Sequence, residues 1–353
     1  MQKRFPVAVL AATGSVGQRF VQLLDRHPWF EVVALTGSER TAGKLYGEAC
    51  SWIVPGGMPT WAREMKITGT TPTAVNVAIA FSALPADQAK DIEPQFAQAG
   101  IAVCSNASAY RREPDVPILL PEINADHAAL VTTQRAARGW TGCLTTNPNC
   151  TSTGLTIALK ALQNAFGLRK VMAVSLQALS GAGYPGVPSM DIIDNVVPYI
   201  GGEEEKVEWE PRKMLGTVRD GKLEMANFVI SAHTNRVAVT DGHMVCCSVE
   251  TNKPCTPEEA IEVFRSYQAP EISRDLPSAP NPIFVVREEQ NRPQPRLDRM
   301  EGNGMATVIG RVRKDPLFTI KFIVLSHNTI RGAAGGSIYN AELLVNERLV
   351  QTQ

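Results

Sequence analysis

The sequence predicts an α/β protein of two domains, the first built on a parallel sheet covered on both faces. Three observations predict it. The chain has 353 residues, a length that favours two hydrophobic cores over one. Its first hundred residues alternate short, uniformly apolar runs with helix-spaced stretches. Strands read as such runs when helices cover the sheet above and below. A glycine-containing turn joins the first run to the first helical stretch.

In order, FPVAVL (5–10) reads as a buried strand, and the turn AATGSVG follows it. VGQRFVQLLDRH then sets Val16, Phe20, Val21 and Leu24 at helical spacing. EVVALT (31–36), VNVAIAFSAL (75–84) and IAVCSN (101–106) read as strands. PADQAKDIEPQFAQAG (85–100) reads as a helix interrupted at Pro94. Past residue 150, TSTGLTIALKALQNAF carries Leu155, Leu159 and Leu162 at helical spacing. VMAVSLQAL (171–179), HMVCCSVETN (243–252) and FTIKFIVLS (318–326) read as strands, with Cys246 and Cys247 as packing thiols. In CTPEEAIEVF, Thr256 caps a helix, Pro257 takes its first position and Glu259 completes a capping box. Residues 270–303, rich in proline and polar groups, are expected to form a surface arm, and residues 332–349 a closing helix.

Composition excludes several classes. A formal net charge of zero gives no electrostatic footprint for nucleic acid. No run reaches the ~18–20 apolar residues that span a bilayer. The basic start flows through a short apolar run into the glycine turn, so it reads as a strand and not as a secretory signal. The cysteines, Cys50, Cys104, Cys143, Cys150, Cys246, Cys247 and Cys255, are odd in number and form no C-x-x-C pair. Neither a disulfide framework nor a metal site is indicated, and a cytoplasmic setting is expected.

TGSVG, residues 13–17, lies where a strand end and a helix start turn backbone N–H groups towards a pyrophosphate. That is the geometry of a Rossmann-type dinucleotide-binding domain. Gly14 and Gly17 allow close approach and tight packing, while Ala11 stands where the first glycine is usual. A plain strand-to-helix turn is the alternative. The next strand tip, LTGSERTAGK, offers Ser38 and Arg40 to a 2′-phosphate, which favours NADP. An inward-pointing Glu39 would favour NAD.

TTNPNCTSTG (145–154) places Cys150 among polar residues at the first turn of a helix. Free N–H groups and a positive partial charge there favour a thiolate and an attacked carbonyl's oxyanion. A small residue capping a helix is the alternative. Such a thiol needs a base. His27 reads as a surface residue and His127 as structural, while His233 and His327 carry no local argument. His243 closes HTNRVAVTDGH, where an Asp241–Gly242 turn leaves it at a strand mouth. A structural histidine is the alternative there too. Arg236, on an extended segment, suits a bidentate grip on a carboxylate.

Taken together, the chain resembles the aspartate-β-semialdehyde dehydrogenases of the archaeal and fungal branch. AATGSVGQRF, LTGSERTAGK, FSALPA, NASAYRREPDVPILLPEIN, TTNPNCTSTGL, SLQALSGAGYPG, GGEEEKVEWE, NRVAVTDGH and NTIRGAAGG match in the family's order over nearly the whole chain. The resemblance implies Cys150 as nucleophile, His243 as general acid/base and Gln177 as the residue orienting substrate. It implies Arg236 on the substrate α-carboxylate, Glu203 (or its neighbour Glu204) on the amino group, and Lys206 and Arg112 on phosphate. Thr13, Gly14, Ser15, Val16, Ser38, Arg40, Ser82, Gly181 and Asn328 match cofactor contacts.

The implied layout is a dinucleotide-binding domain over 1–149, an α+β catalytic and dimerisation domain with a mixed sheet over 150–331, and a helix over 332–353 returning to the first domain. A homodimer or homotetramer is implied, with no nucleic-acid or membrane partner. The implied reaction is NADP-dependent conversion of β-aspartyl phosphate to aspartate β-semialdehyde, in lysine, threonine and methionine biosynthesis. Some archaeal malonyl-CoA reductases resemble the same branch and keep the cysteine and histidine. Glu203 with Arg236 suits an amino-acid zwitterion instead. A silent NADP sensor has no need of Cys150, Gln177, Arg236 and His243 together.

Overall fold

The computed structural model describes residues 4–350. Strands β1 (Phe5–Leu10), β2 (Phe30–Gly37), β3 (Thr68–Gly69), β4 (Ile79–Ser82), β5 (Ala102–Ser105) and β6 (Cys143–Thr146) form a six-stranded sheet in the order β3-β2-β1-β4-β5-β6. Every pairing in it is parallel. Consecutive residues Val7, Ala8, Val9 and Leu10 are all fully buried, so both faces are covered. Of the apolar run 75–84, only Ile79–Ser82 is strand. Strand β6 carries no readable pattern, because CLTT is four residues long and half threonine.

Helix α1 (Ser15–Leu23) follows β1, and α2 (Ala86–Gln98) follows β4. Pro94 does not interrupt α2. The missing proline N–H frees the carbonyl of Lys90, and the Tyr110 hydroxyl donates to it at 2.5 Å. His27 is another correction. It is buried, with Nε2 2.9 Å from Glu342 Oε1 and Nδ1 accepting the Trp29 and Phe30 amides. A carboxylate partner and two amides satisfy a ring that the surface would otherwise have to hydrate.

Helix α3 (Cys150–Phe166) leads into the second half of the chain. Strands β7 (Leu168–Gln177), β10 (Val229–Arg236), β11 (His243–Thr251), β12 (Phe284–Arg287), β13 (Thr307–Lys314) and β14 (Ile320–Ser326) form a mixed sheet, ordered β10-β7-β11-β14-β13-β12. The short hairpin of β8 (Thr217–Arg219) and β9 (Lys222–Glu224) stands apart from it. Helix α3 packs on β7, β11 and β14, and α4 (Glu203–Met214) runs along β10. Val171, Ala173, Val245, Cys247, Phe322 and Val324 face the core. The alternate residues face away, and Met172, Val229 and Cys246 are exposed. Cys246 is therefore not a packing thiol, whereas Cys247 is.

Residues 270–303 do not form an arm. Leu276 and Phe284 enter the two main cores, and β12 extends the sheet beside β13. Buried Asp298 accepts hydrogen bonds from Arg287, Arg292 and the Gln294 amide, which satisfies much of the segment's polarity internally. Helix α5 (Pro257–Ser266) has both bonds of its expected capping box. The chain closes with a π-helical turn, Ile330–Ala334, and helix α6 (Gly335–Asn346). Ile338, Leu343 and Leu344 of α6 pack in the same core as Val9 and Phe20. No helix among the described residues is long and apolar enough to cross a membrane.

Candidate active site

Helix α3 starts at Cys150 because Asn149 caps it. The Asn149 Oδ1 accepts the Thr151 and Ser152 amides at 2.9 and 3.2 Å. Those two amides are thereby occupied, which leaves Cys150's own N–H for an oxyanion. Cys150 lies in a cleft of about 550 Å³ between the two sheets. Its Sγ stands 3.2 Å from Nε2 of His243, the first residue of β11.

Three neighbouring turns set His243 in place. Gly242, at φ +100°, makes the reversal into β11, and its amide donates to Asn328 Oδ1 at 2.8 Å. Asn328 Nδ2 donates in turn to Ser180 Oγ at 2.7 Å. Beyond β7, the Ala178 amide donates to His243 Nδ1 at 3.0 Å, and the Ala178 carbonyl accepts Arg236 Nη1 at 2.7 Å. Arg236 is the last residue of β10, so strand ends deliver both the ring and the guanidinium. Gly181 lies over both. A Cβ there would sit 2.8 Å from Arg236 Nη1 and 3.0 Å from the His243 ring.

One face of α4 holds the other wall. Glu203, Lys206, Glu210 and Lys213 recur at helical spacing. Asn149 Nδ2 donates to both Glu203 oxygens, at 3.0 and 2.8 Å, and Lys206 Nζ donates to Glu203 at 2.9 Å. Buried Glu210 takes the Asn149 amide at 2.7 Å and Arg111 Nη1 at 2.9 Å. Lys213 gives its ammonium to the carbonyls of Arg111, Glu113 and Val116 at 2.7, 2.6 and 2.8 Å. The helix thus clasps the loop before Cys150 and the loop carrying Arg111. Behind Cys150, Gly332 of the π turn comes so close that a Cβ on it would lie 3.0 Å from the Cys150 Cβ.

Burial, reinforced by Glu203, pushes the Cys150 thiol up to about 12, against the pull of Arg111, Arg236 and Lys206. Burial also pushes His243 down to about 3, helped by Arg236 and His327. Burial thus favours the uncharged form of both groups, and for the sulfur it opposes the pull of the helix start and of the three cations around it.

Most of the expected site residues converge on this cleft. Ser15, Val16, Gly181, Asn328, Glu203, Lys206 and Arg236 line it with Cys150. Glu204 instead accepts the Thr234 amide at 3.1 Å, so Glu203 is the glutamate that faces the sulfur. Arg112 lies outside. Its guanidinium sits 4.6 Å from the centre of the Trp209 ring and is mostly exposed. Arg111 occupies the cleft in its place. Gln177 is buried behind the lining, with Nε2 donating to Ser175 Oγ at 3.2 Å.

The turn after β1 fits a dinucleotide. Helix α1 has no side-chain cap and no acid in its first turn, and its start opens into the cleft through Ser15 and Val16. Ala11 takes the left-handed conformation, φ +56°, that the usual glycine would supply. Gly17 cannot be replaced without moving backbone, since a Cβ would lie 2.4 Å from the Ala11 carbonyl oxygen. Thr13 offers its carbonyl to Gln18, Gly14 is exposed, and Ser82 is buried at the end of β4. Ser38 and Arg40 are exposed at the β2 tip. Arg111, Asn149, Glu210, Lys213 and Gly332 were not singled out from sequence. For Glu210 and Lys213 a signal existed, since they continue the helical stripe begun by Glu203 and Lys206 in GGEEEKVEWEPRK.

Residues 6–131 match the family model for the semialdehyde dehydrogenase NAD binding domain, and residues 159–331 that for the semialdehyde dehydrogenase dimerisation domain. The chain is 50% identical over 347 residues to an aspartate-semialdehyde dehydrogenase of Archaeoglobus fulgidus, covering 98% of this chain and 100% of that one. It is 46% identical over 352 residues to that of Schizosaccharomyces pombe, covering 98% and 99%. A crystal structure of Candida albicans aspartate semialdehyde dehydrogenase with NADP matches the fold with a TM-score of 0.91 at 41% identity, covering 99% of this chain and 100% of that one.

Proposed function

Since the chain belongs to the aspartate-semialdehyde dehydrogenase family, we propose that it converts β-aspartyl phosphate reversibly to aspartate β-semialdehyde, with NADPH as reductant and a thioester on Cys150. One observation carries this reading. Cys150 Sγ lies 3.2 Å from His243 Nε2 in a cleft that also holds Arg111, Lys206, Arg236, Glu203 and the uncapped start of α1.

Arg236 receives the substrate α-carboxylate and Glu203 its amino group. Lys206 and Arg111 receive the phosphate. Arg111 takes the part that the resemblance gave to Arg112, since it alone of the pair faces the cleft. The Cys150 sulfur, once deprotonated to the thiolate, attacks the acyl carbon. A C–S bond forms, the acyl C–O bond breaks, and phosphate departs with the bonding pair. NADPH, when bound along α1, supplies the hydride that reduces the thioester. The Cys150 amide and the acid/base residue His243 stabilise the oxyanion on that carbon by hydrogen bonding. The oxyanion then collapses to the aldehyde carbonyl, the C–S bond breaks with its pair on sulfur, and the semialdehyde is released from the thiolate. Gln177, buried at the end of β7 with its Nε2 on Ser175 Oγ, is assigned to orient the substrate near the sulfur. The assembly is a homo-oligomer, and a homodimer joined across the outward face of the second sheet fits the exposed Met172 and Val229.

The test is NADPH formation from aspartate semialdehyde, NADP and phosphate by the purified protein. Turnover that requires phosphate is expected, with no NADPH oxidation on malonyl-CoA. Turnover indifferent to phosphate would refute the reading.

A further inference from the structure

One carboxylate ties the two halves of the cleft together. Glu210 is fully buried on α4, the helix that runs along β10 of the second sheet. Its Oε2 accepts the Asn149 amide at 2.7 Å, and its Oε1 accepts Arg111 Nη1 at 2.9 Å. Both partners belong to loops at the strand ends of the first sheet. Arg111 carries the tie further. Its Nε donates to the Asn147 carbonyl at 3.0 Å and its Nη2 to the Asn106 carbonyl at 2.8 Å. Asn106 follows β5, while Asn147 and Asn149 follow β6.

These bonds decide which donors stay free. At the start of α3, the Asn149 N–H goes to Glu210, and the Thr151 and Ser152 N–H groups go to the Asn149 side chain. The Thr153 N–H returns to the Asn149 carbonyl. Among the described residues, that leaves the Cys150 N–H as the open donor of the turn. A guanidinium has five N–H groups, and Arg111 spends three on the contacts above, so two remain for a ligand oxygen.

We infer that Glu210 is a positioning residue whose two oxygens fix the Cys150 turn and Arg111 against each other, so that one side chain from the second sheet sets the spacing between the sulfur and the phosphate it must displace.

The phosphate part rests on the proposed function, whereas the tie itself does not. Both bonds come from one buried carboxylate, and the one to Arg111 joins opposite charges. A glutamine of the same size cannot replace it, because its NH₂ would confront either the Arg111 donor or the Asn149 donor. An aspartate keeps the charge, yet its shorter arm cannot reach both partners.

Two measurements test the inference. Hydrogen–deuterium exchange on the unliganded protein, read by peptide mass, needs no substrate. In Glu210→Gln, peptides covering 104–112 and 145–153 should both exchange faster, while α4 and β10 keep wild-type protection. Unchanged protection in either loop, or loss spread through α4, would overturn the inference. The other measurement is steady-state NADPH formation from aspartate semialdehyde, NADP and phosphate. Glu210→Gln should lower kcat about 100-fold and raise the KM for phosphate about tenfold, with the KM for the semialdehyde within about twofold of wild type. An unchanged KM for phosphate, or both KM values rising together as in a general loosening, would count against it decisively. Glu210→Asp should show the same split, and wild-type kinetics in that variant would equally sink the idea. Absence of turnover in the wild type would refute the proposed function instead, and exchange alone would then decide this inference.

Discussion

Gly181 has no side chain, and the space where one would begin is already taken by Arg236 and His243. Gly181→Ala should fold, since its backbone is not among the left-handed ones. It should lower kcat/KM about 100-fold by displacing the reacting groups by a fraction of an ångström, as steady-state kinetics beside circular dichroism will read. Cys150→Ala should abolish phosphate-dependent turnover and the acyl adduct seen by intact mass, whereas His243→Ala should retain about 10⁻² to 10⁻⁴ of the rate. Buried Glu93 makes a prediction about pH. Burial raises its carboxyl to about 7, against the pull of Ser105, Ser82 and Arg111. The folded state then holds a proton that the unfolded state releases from about pH 4.5 upward, so stability falls as pH rises towards 7. Glu93→Gln should match the wild type below about pH 4.5 and exceed it at pH 8 by on the order of 3 kcal/mol, measured by denaturant unfolding. At this scale the pair that the structure brings together was legible because local strings carry its members, as NPNC carries Cys150 and TDGH carries His243. Arg111 was not, because in the doublet Arg111–Arg112 only the folded loop decides which side chain turns inward.

Elements were legible where a pattern had length. The strands from 5, 101, 171, 243 and 318 and the capped helix at 257 begin within a few residues of expectation. Strands β6 and β12, four residues each, were too short to carry a period, and their partners lie far along the chain. The misreading of Pro94 has a different cause. Proline's missing donor is harmless when Tyr110 supplies one, and no helical pattern records a residue sixteen positions away. The π turn at Ile330–Ala334 holds a prediction of its own. Its Arg331 is fully buried and grips Glu122 with Nη2 2.6 Å from each carboxylate oxygen. Glu122→Ala should cost about 3–5 kcal/mol in chemical denaturation, because an unpaired guanidinium would stay buried. The paired replacement Glu122→Leu with Arg331→Met should recover most of that loss.

At the scale of the molecule, the mixed sheet is covered by helices on one side, while its other side presents Met172, Val229 and Cys246. Apolar side chains on a sheet face of this kind fit a second copy of the chain. On the proposed homodimer, Met172→Glu should shift sedimentation towards the monomer at micromolar concentration, and an unchanged assembly would move the interface elsewhere. The π turn also sets an order of events. Gly332 abuts Cys150, and its carbonyl accepts Asn147 Nδ2 at 3.1 Å, yet it is joined to the chain 182 residues after that cysteine. A ribosome therefore completes the sulfur's surroundings only 182 residues after it has added the sulfur. A nascent polypeptide halted before residue 330 lacks the rear wall of its own reaction chamber. Until that distant segment folds back, the sulfur stands without the neighbour that packs behind it.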